Sequence, residues 1–367
     1  MGADSTDTNE TKETETFHLW GEDVKLELSK DTFPSEKELE GLLKNMHPSC
    51  KHRYFKSRYG PKLHYWSLGV ENPKGIVVFQ HGLLSQASGA YVTSKGKKLN
   101  GALVQDFCQK QGYAVYAMDL YGHGFSEGSR AYIPSYQQYR DDLSDFCAKV
   151  VVPDCQNNDE NNPLPLFVLA YSFGGTVTLH TAKYWQDHPE EAPKGFAGVA
   201  VLAPPIVGDI PPWPILYLLT HVIARLFPYT VPTYLPNYGE PPMLWRDEEA
   251  RSLHMYPDKF KWGIDNGGNQ ASFGTAAQVM LAMVAFQKMI PDFNVPFCAI
   301  HGLPDKSSYV DGTKLLESQC KTPESDRCVL YLPEARHDIL ADPDVNEQTM
   351  DFIGKFFAER IAKVGKE

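Results

Sequence analysis

The stretch Leu-Ala-Tyr-Ser-Phe-Gly-Gly-Thr, residues 169–176, lies between an apolar run and a helical pattern. Ser172 stands at the junction with Gly174 two positions later, and this arrangement predicts a tight strand-to-helix turn that lifts the serine hydroxyl above a sheet. The N–H groups that begin the helix would favour negative charge beside that hydroxyl. Ala170 stands where such turns usually have glycine, so one extra methyl group is expected there. The stretch is a weak signal by itself, and its meaning depends on the rest of the chain.

Short apolar runs alternate with helical patterns along most of the chain, which predicts an α/β fold with a mainly parallel sheet and flanking crossover helices. Residues 52–57 and 63–70 flank a Tyr-Gly-Pro-Lys turn and predict an opening hairpin. The buried strands predicted after it are 76–80, 113–120, 166–171, 198–202, 296–300 and 328–332. The predicted helices are 103–109, 136–150, 176–185, 275–289 and 350–364.

One segment interrupts the alternation, because residues 204–294 carry no strand signal of the same kind. A proline-rich entry and an apolar helix-like run predict a helical insertion that lies over the sheet. An ordinary peripheral helical layer is the alternative. The predicted organisation is a polar N-terminal tail and lead-in (1–48), a first part of the core (49–204), a helical cap (205–294) and a second part of the core (295–367).

Composition and charge exclude several classes of partner. The chain has 367 residues, of which 42% are hydrophobic, and this is enough for a substantial core. The formal net charge is -11 without a basic patch, so nucleic acid is not an expected partner. His81, His123 and His301 lack metal-ligand spacing, and we expect neither a metal nor another cofactor. A membrane-spanning helix is not expected, because no run of about 18 apolar residues is free of charge and proline.

The N-terminus and the cysteines indicate a cytoplasmic protein. The opening residues MGADSTDTNETKETET are acidic and polar, unlike a secretory signal. The seven cysteines are odd in number and lack C-x-x-C spacing, which indicates reduced thiols. The start also fits M-G-x-x-x-[ST], a weak N-myristoylation pattern at Gly2 that would give peripheral membrane association. We favour a solvated tail, since the neighbouring acidic residues would repel anionic lipid.

Asp305 and His337 are the candidate partners of Ser172. Each follows a predicted strand, so both are expected at the carboxyl ends of the sheet, where the sites of open α/β proteins collect. The chain order Ser, acid, His is the order expected for a serine at such a turn. We expect His337 to take the Ser172 proton and Asp305 to hold the imidazole tautomer. Asp311 is a rival acid that we expect to cap a helix instead.

Backbone N–H groups are the expected partners of a developing oxyanion. One such donor belongs to the residue after the serine, which is Phe173. The second belongs to the loop that follows the predicted strand 76–80, where His81-Gly82 leads into Leu83. Removing one donor of this kind costs about 2.7–4 kcal/mol of transition-state stabilisation in known enzymes.

A further motif gives the chain its resemblance to a known family. Residues 119–128, Asp-Leu-Tyr-Gly-His-Gly-Phe-Ser-Glu-Gly, match the pattern D-x-x-G-H-G-x-S-x-G. Together with the motifs around Ser172, Asp305 and His337, they make the chain resemble the monoacylglycerol lipase and lysophospholipase branch of the serine α/β-hydrolases, from about His52 to the C-terminus. The resemblance implies an α/β-hydrolase fold with a cap, the same three catalytic residues and the same two oxyanion donors.

The loop after the predicted strand 76–80 departs from the family pattern. Monoacylglycerol lipases usually have H-G-x-G-E-H-x-x-R-Y there, whereas residues 81–91 are His-Gly-Leu-Leu-Ser-Gln-Ala-Ser-Gly-Ala-Tyr. The glutamate and the arginine are missing and one residue is additional. This departure leaves specificity for monoacylglycerol open and leaves ester hydrolysis intact.

The apolar run at residues 215–227 is the candidate lid. Its apolar residues surround the whole helix, which predicts that the helix is buried or dips into an apolar phase. We expect it to receive an acyl chain and to contact a membrane surface; the alternative is a helix packed inertly against the core. The predicted substrate-binding residues are Leu84, Trp213, Leu218 and Leu219.

The expected function is hydrolysis of lipid-like acyl esters, of monoacylglycerol or lysophospholipid type, through an acyl-enzyme. A carboxylesterase for small esters or a thioesterase would use the same chemistry with a different pocket. A catalytically silent α/β-hydrolase that binds or scaffolds is an alternative from another class, against which the complete Ser172, Asp305 and His337 set argues. An acyltransferase is a further alternative, because it differs only in the acceptor of the acyl group.

Overall fold

An eight-stranded sheet lies at the centre of the protein, whose structure is a computed structural model. The structure describes residues 14–28, 36–89, 98–155, 163–232, 240–249 and 271–364. Gly2, the predicted acylation position, lies outside these ranges. The strands are β1 (Glu15–Leu19), β2 (Glu22–Leu26), β3 (Lys51–Lys56), β4 (Lys62–Leu68), β5 (Ile76–Gln80), β6 (Ala114–Met118), β7 (Leu166–Tyr171), β8 (Phe196–Leu202), β9 (Phe297–Gly302) and β10 (Arg327–Leu332).

The order in the central sheet is β3-β4-β6-β5-β7-β8-β9-β10. β3 pairs antiparallel with β4, and β4 pairs antiparallel with β6. The remaining neighbours from β6 to β10 pair parallel. This topology confirms the predicted opening hairpin and the predicted mainly parallel sheet.

Helices cover both faces of the sheet, as the crossover connections of parallel strands require. They are α1 (Glu36–Asn45), α2 (Asn100–Gln111), α3 (Tyr136–Phe146), α4 (Phe173–Asp187), α5 (Trp213–Leu226), α6 (Pro241–Leu244), α7 (Phe273–Met289), α8 (Asp311–Gln319) and α9 (Asn346–Val364). One apolar cluster joins the sheet to α3, α4 and α7, and a second joins it to α2 and α9. β5 and β7 are buried along their whole length, which explains their uninterrupted apolar sequences.

The predicted buried strands and long helices are confirmed, with ends that move by a few residues. α3 runs on beyond its predicted end through a π-helical segment, Cys147–Val151, to Cys155. α4 begins at Phe173 rather than at residue 176, so the helix starts directly after Ser172. This earlier start matters for the site, because it brings the first helical N–H groups next to the serine.

A second, two-stranded sheet near the N-terminus was not predicted. β1 and β2 pair antiparallel around Trp20-Gly21, and both of these turn residues have positive φ, 52° and 84°. Leu19 and Leu26 are buried although glutamate, aspartate and lysine stand between the apolar residues. Short strands with charged residues on one face resemble a polar lead-in by composition, and only the alternation distinguishes them.

The described residues between β8 and β9 carry helices and no strand, in agreement with the predicted helical character of that segment. α7 packs on α4 and on α5. Within the described ranges, Phe273–Asp292 alone has the length and hydropathy of a membrane span, but Gly274, Ala277 and Phe286 are buried inside the protein. Such packing is typical of a core helix.

Candidate active site

Ser172 occupies a strained turn between β7 and α4. Its backbone angles are φ 54° and ψ -136°, a conformation that L-residues adopt only when the surroundings enforce it. The Ser172 N–H donates to the Leu202 carbonyl at 2.8 Å. A Cβ on Gly174 would lie 2.2 Å from the His81 carbonyl oxygen, and one on Gly82 would lie 2.7 Å from the Ser172 Cβ. Only glycine fits at these two positions.

The close approach at the turn does not extend to Ala170. This residue is fully buried in β7, where it pairs with Gln80 on one side and Val201 on the other. The strand pairing of β7 continues through Tyr171. The predicted extra methyl group therefore fits without a break in the sheet.

The structure brings Ser172, His337 and Asp305 together. His337 Nε2 lies 2.8 Å from Ser172 Oγ, and His337 Nδ1 lies 2.9 Å from Asp305 Oδ2. The Asp305 carboxylate accepts a hydrogen bond from Nδ1–H, which leaves Nε2 unprotonated and able to accept the serine proton. Asp305 and His337 follow β9 and β10, as predicted from their positions after apolar runs.

Burial and charge act against each other on the His337–Asp305 pair. Burial opposes the charged imidazole, but the charge of Asp305 and its hydrogen bond, with a further contribution from Asp338, raise the pKa of His337 above its usual 6.5. Burial likewise opposes the Asp305 carboxylate, but His337 and His301 outweigh it and hold its pKa below the usual range. Asp305 is therefore ionised at neutral pH and stabilises a protonated His337.

Three side chains that the sequence analysis did not assign to the site support Asp305. The Ser308 hydroxyl lies 3.0 Å from Asp305 Oδ2 and 3.1 Å from His337 Nδ1. His301 Nε2 lies 3.3 Å from the same carboxylate oxygen, and Thr313 Oγ1 lies 2.7 Å from His301 Nδ1. His301 is thus a packed, hydrogen-bonded histidine, and one of its contacts is the candidate acid.

Backbone donors reach the other Asp305 oxygen. The N–H groups of Ser307 and Ser308 donate to Asp305 Oδ1 at 2.8 and 3.1 Å. The rival Asp311 carboxylate is exposed and lies 3.5 Å from Lys314 Nζ. Its predicted capping role is wrong, because Val310 occupies the cap position and Asp311 is the first helical residue.

The two predicted oxyanion donors flank the serine. Phe173 begins α4, and Leu83 follows the His81-Gly82 turn after β5. Within the described ranges, neither N–H donates to another protein group, which leaves both available to a ligand. The next residue, Leu84, has φ 55°, and its N–H donates to His123 Nε2 at 3.2 Å. His123 thereby fixes the loop that carries Leu83.

The contacts of Asp119 give a structural reason for the D-x-x-G-H-G-x-S-x-G motif. Its buried carboxylate accepts from the N–H groups of Ala87 at 2.6 Å and Phe125 at 2.9 Å, and it lies 2.7 Å from His64 Nδ1. A Cβ on Gly124 would lie 2.3 Å from that carboxylate. The motif therefore ties its own loop to the loop after β5.

The predicted substrate-binding residues lie in different environments. Leu84 is buried, and Leu219 is half-buried. Trp213 and Leu218 are 65% and 49% exposed on the outer side of α5. Among the described residues, no group of histidine, cysteine and acidic side chains could hold a metal ion.

The sheet order and the strand-turn-helix at its centre define the fold of an α/β hydrolase. The family model described as serine aminopeptidase, S33, matches residues 71–344. The chain belongs to this family, and within the α/β hydrolases it is monoacylglycerol lipase-like.

Individual relatives support this assignment. Rat monoglyceride lipase is 24% identical over 252 residues, which are 68% of this chain and 75% of the relative. Caffeoylshikimate esterase of Arabidopsis thaliana is 24% identical over 324 residues, or 83% of this chain and 90% of the relative. A soluble variant of monoglyceride lipase from Saccharomyces cerevisiae, solved with a substrate analogue, superimposes with a TM-score of 0.66 at 18% identity, covering 86% of this chain and 96% of that one.

Proposed function

We propose that the protein is a serine hydrolase that cleaves acyl esters of lipid-like substrates through an acyl-enzyme. The observation that carries the proposal is the continuous chain of hydrogen bonds from Ser172 Oγ through His337 to Asp305, at 2.8 and 2.9 Å. The strained backbone of Ser172 adds to it, since strain of this kind persists where the fold enforces it.

The geometry supports a two-step reaction. Ser172 Oγ attacks the ester carbonyl carbon while His337 Nε2 takes its proton, and the N–H groups of Leu83 and Phe173 receive the oxyanion. Collapse of the intermediate breaks the ester C–O bond, and His337 returns the proton to the departing alcohol oxygen. Water then attacks the acyl-enzyme, His337 takes the water proton and returns it to Ser172 Oγ, and the carboxylic acid leaves.

The proposed substrate class is a monoacylglycerol or a lysophospholipid. The relatives support the monoacylglycerol, because monoglyceride lipases from rat and yeast are among them. The apolar α5 and the buried Leu84 on the loop after β5 are both consistent with an acyl chain as the bound group. A carboxylesterase for smaller esters is the second candidate, since the loop after β5 lacks the family glutamate and arginine and a caffeoylshikimate esterase is a relative.

Labelling with a fluorophosphonate probe tests the chemistry. The native protein is expected to react, and Ser172→Ala is expected to lose the reaction while it keeps the native melting temperature. Labelling that persists in Ser172→Ala would contradict the assignment of the serine. A native protein that does not label would favour a silent binding or scaffold protein.

A substrate panel separates the remaining classes. We expect release of fatty acid from long-chain monoacylglycerols or lysophospholipids to exceed turnover of short-chain esters and thioesters. Faster turnover of short esters would identify the carboxylesterase, and transfer of the acyl group to an added alcohol in preference to water would identify an acyltransferase.

We also propose that the outer face of α5 contacts a lipid surface. The large apolar side chains exposed on it and just after it include Trp213 (65%), Leu226 (67%) and Tyr229 (61%). Large exposed apolar patches mark interaction sites in soluble proteins. With a net charge of -11, the chain is expected to bind zwitterionic vesicles rather than anionic ones.

Flotation with phosphatidylcholine vesicles tests this contact. The paired change Trp213→Ser and Leu226→Ser should reduce the bound fraction, whereas Leu43→Ser, at an exposed leucine on α1, serves as the matched control and should not. Equal binding of both variants and the native protein would contradict the proposal.

A further inference from the structure

Asp338 is a buried carboxyl group directly after His337 that the proposed reaction does not use. Its side chain accepts from Trp245 Nε1 at 2.9 Å and from Asn100 Nδ2 at 3.1 Å. The Ala341 N–H donates to it at 3.2 Å. Only 4% of the residue is exposed. The Asp338 carboxylate thus lies in a polar cluster with Trp245, Asn100 and the Ala341 N–H.

Trp245 belongs to a segment that contacts the loop carrying His337. We name residues 240–249, from the region between β8 and β9, the clasp, and residues 333–345, after β10, the base loop. The Asp338 N–H donates to the Leu244 carbonyl at 2.9 Å. Arg336, on the other side of His337, donates to the carbonyl of Trp245 at 3.2 Å and to that of Pro242. The clasp therefore bonds to the residue before His337 and to the residue after it.

Ion pairs extend this contact along the base loop. Arg246 Nη1 lies 2.9 Å from Glu334, and Arg246 Nη2 lies 3.0 Å from Asp342 and 2.6 Å from Asp344. Trp245 and Leu244 are buried in an apolar cluster that also contains Ala341. Polar and apolar contacts thus join the same two segments.

We infer that the clasp positions the imidazole of His337, with Asp338 and Trp245 as positioning residues; the inference rests on the proposed function. The base loop contains no helix or strand, so its conformation depends on the contacts of its neighbours. A displacement of about 1 Å at a catalytic group can reduce the rate by a factor on the order of a hundred. The bonds on both sides of His337 oppose such a displacement.

Asp338 acts on His337 through its charge as well as through the hydrogen bonds that hold the loop. The charged or titratable groups that act on His337 are Asp305 and Asp338, and both favour the protonated imidazole. Burial raises the pKa of Asp338, although the hydrogen bonds from Trp245, Ala341 and Asn100 and the charge of His337 oppose that effect. Removal of the carboxylate charge is therefore expected to lower the pKa of His337.

The first experiment removes the indole N–H of Trp245, together with part of its ring. Trp245→Phe should reduce kcat and the rate of fluorophosphonate labelling about tenfold, with little change in KM, because the base is misplaced and the pocket is not. Trp185→Phe is the matched control, since Trp185 is buried in α4 and its Nε1 donates to Ser144 Oγ at 2.8 Å. The control should lower the melting temperature similarly and keep the native kcat.

The second experiment separates the effect of the position of the His337 imidazole from the effect of the Asp338 charge. Asp338→Asn should lower the midpoint of the acid limb of kcat/KM, whereas Trp245→Phe, which keeps the carboxylate, should lower kcat with a much smaller change of midpoint. Native labelling rates in Trp245→Phe, with a melting temperature lowered as in Trp185→Phe, would overturn the inference. Failure of the native protein to label would instead overturn the proposed function, so the two failures are distinct.

Discussion

The ionisation of His337 depends on two buried aspartates, Asp305 at its Nδ1 and Asp338 next in the chain. Both raise its pKa above 6.5 against the effect of burial. Since only the neutral imidazole can accept the Ser172 proton, the proposed activity is expected to require a pH above this raised value. At the residue scale, the proposed reaction is thus expected to weaken as the pH falls towards the pKa of His337.

The pH dependence of the reaction tests whether the pKa of His337 is raised. We expect kcat/KM to fall as pH is lowered, with a midpoint above the ordinary histidine value of 6.5. Burst kinetics or labelling rates measured from pH 5 to 9 would give the midpoint of the free protein. A midpoint below 6.5 would show that burial outweighs the two carboxylates.

The Ser308 hydroxyl is expected to support the pair it contacts. Ser308→Ala removes the group 3.0 Å from Asp305 Oδ2 and should reduce kcat about tenfold with KM nearly unchanged, as for other hydrogen bonds to a charged group. Ser307→Ala is the matched control, because Ser307 contacts Asp305 through its backbone N–H. Equal kcat for the two variants would assign Ser308 no part in positioning the acid.

Asp142 on α3 offers a test of stability away from the site. Burial raises its pKa to about 7, the neighbouring Asp145 and Asp141 add to this effect, and hydrogen bonds from Ser57 and Gln138 oppose it. Its folded pKa lies above its unfolded pKa, so the stability it contributes is complete below pH 3.8 and is lost as pH rises to about 7. Asp142→Asn should therefore raise the melting temperature at pH 8 and have little effect near pH 4. A gain that is equal at both pH values would contradict the shifted ionisation.

At the scale of elements, α5 has a buried side and an exposed side. Leu216, Thr220 and Ala224 are buried at helical spacing, and α7 packs against this helix. The Thr220 hydroxyl, in the π-helical part Leu218–Ile223, donates to the Leu216 carbonyl of the preceding turn at 2.8 Å. The apolar sequence predicted a helix in contact with apolar surroundings on all sides, but packing among the described residues accounts for one side alone.

Substitutions on α5 test its part in acyl-chain binding. Replacement of Leu218 and Leu219 by serine should reduce turnover of long-chain esters several-fold and leave short-chain esters nearly unaffected, because about 0.8 kcal/mol is lost per methylene group no longer covered. The ratio of the two activities cancels differences in folded protein. An unchanged ratio would mean that α5 does not cover the acyl chain.

The elements that the sequence predicted well are those whose own residues decide their structure. β5 and β7 are buried apolar runs, and the turn at Ser172 follows from its glycine. β1 and β2 were not predicted because charged residues separate their apolar residues. The pairing of these strands also depends on contacts with residues elsewhere in the chain. The contacts of His301, Ser308 and Asp338 were also missed, since they join segments distant in sequence and no local pattern encodes them.

At the scale of the whole molecule, the N-terminal hairpin is part of the folded protein. Leu26 lies in one apolar cluster with Leu84 of the loop after β5 and with Trp245. Trp20 stacks on His52 and His64, with ring centroids 4.7 and 4.9 Å away. His64 in turn lies 2.7 Å from Asp119. The hairpin is therefore connected, through these contacts, to the loop that carries Leu83.

The variant Leu26→Ala measures how much the packing of the hairpin contributes to the free energy of unfolding. Truncation of a fully buried leucine should lower the free energy of unfolding by about 2–5 kcal/mol. Denaturant unfolding should show a lower midpoint and a single transition if the hairpin unfolds with the core. A separate early transition, or no change in midpoint, would indicate that the hairpin is independent of the core.

The separation of Ser172 from its two partners along the chain has a consequence for biosynthesis. Ser172 and His337 are 165 residues apart, and Asp305 and His337 follow the last two strands of the sheet. Proteins are synthesised from the N-terminus, and their early regions begin to fold first. A nascent chain can therefore form the turn at Ser172 and bury much of its core while it still lacks a base. The proposed reactivity of Ser172 therefore depends on the segment that follows β10, and a prematurely terminated chain that ends before β10 is expected to be chemically inert.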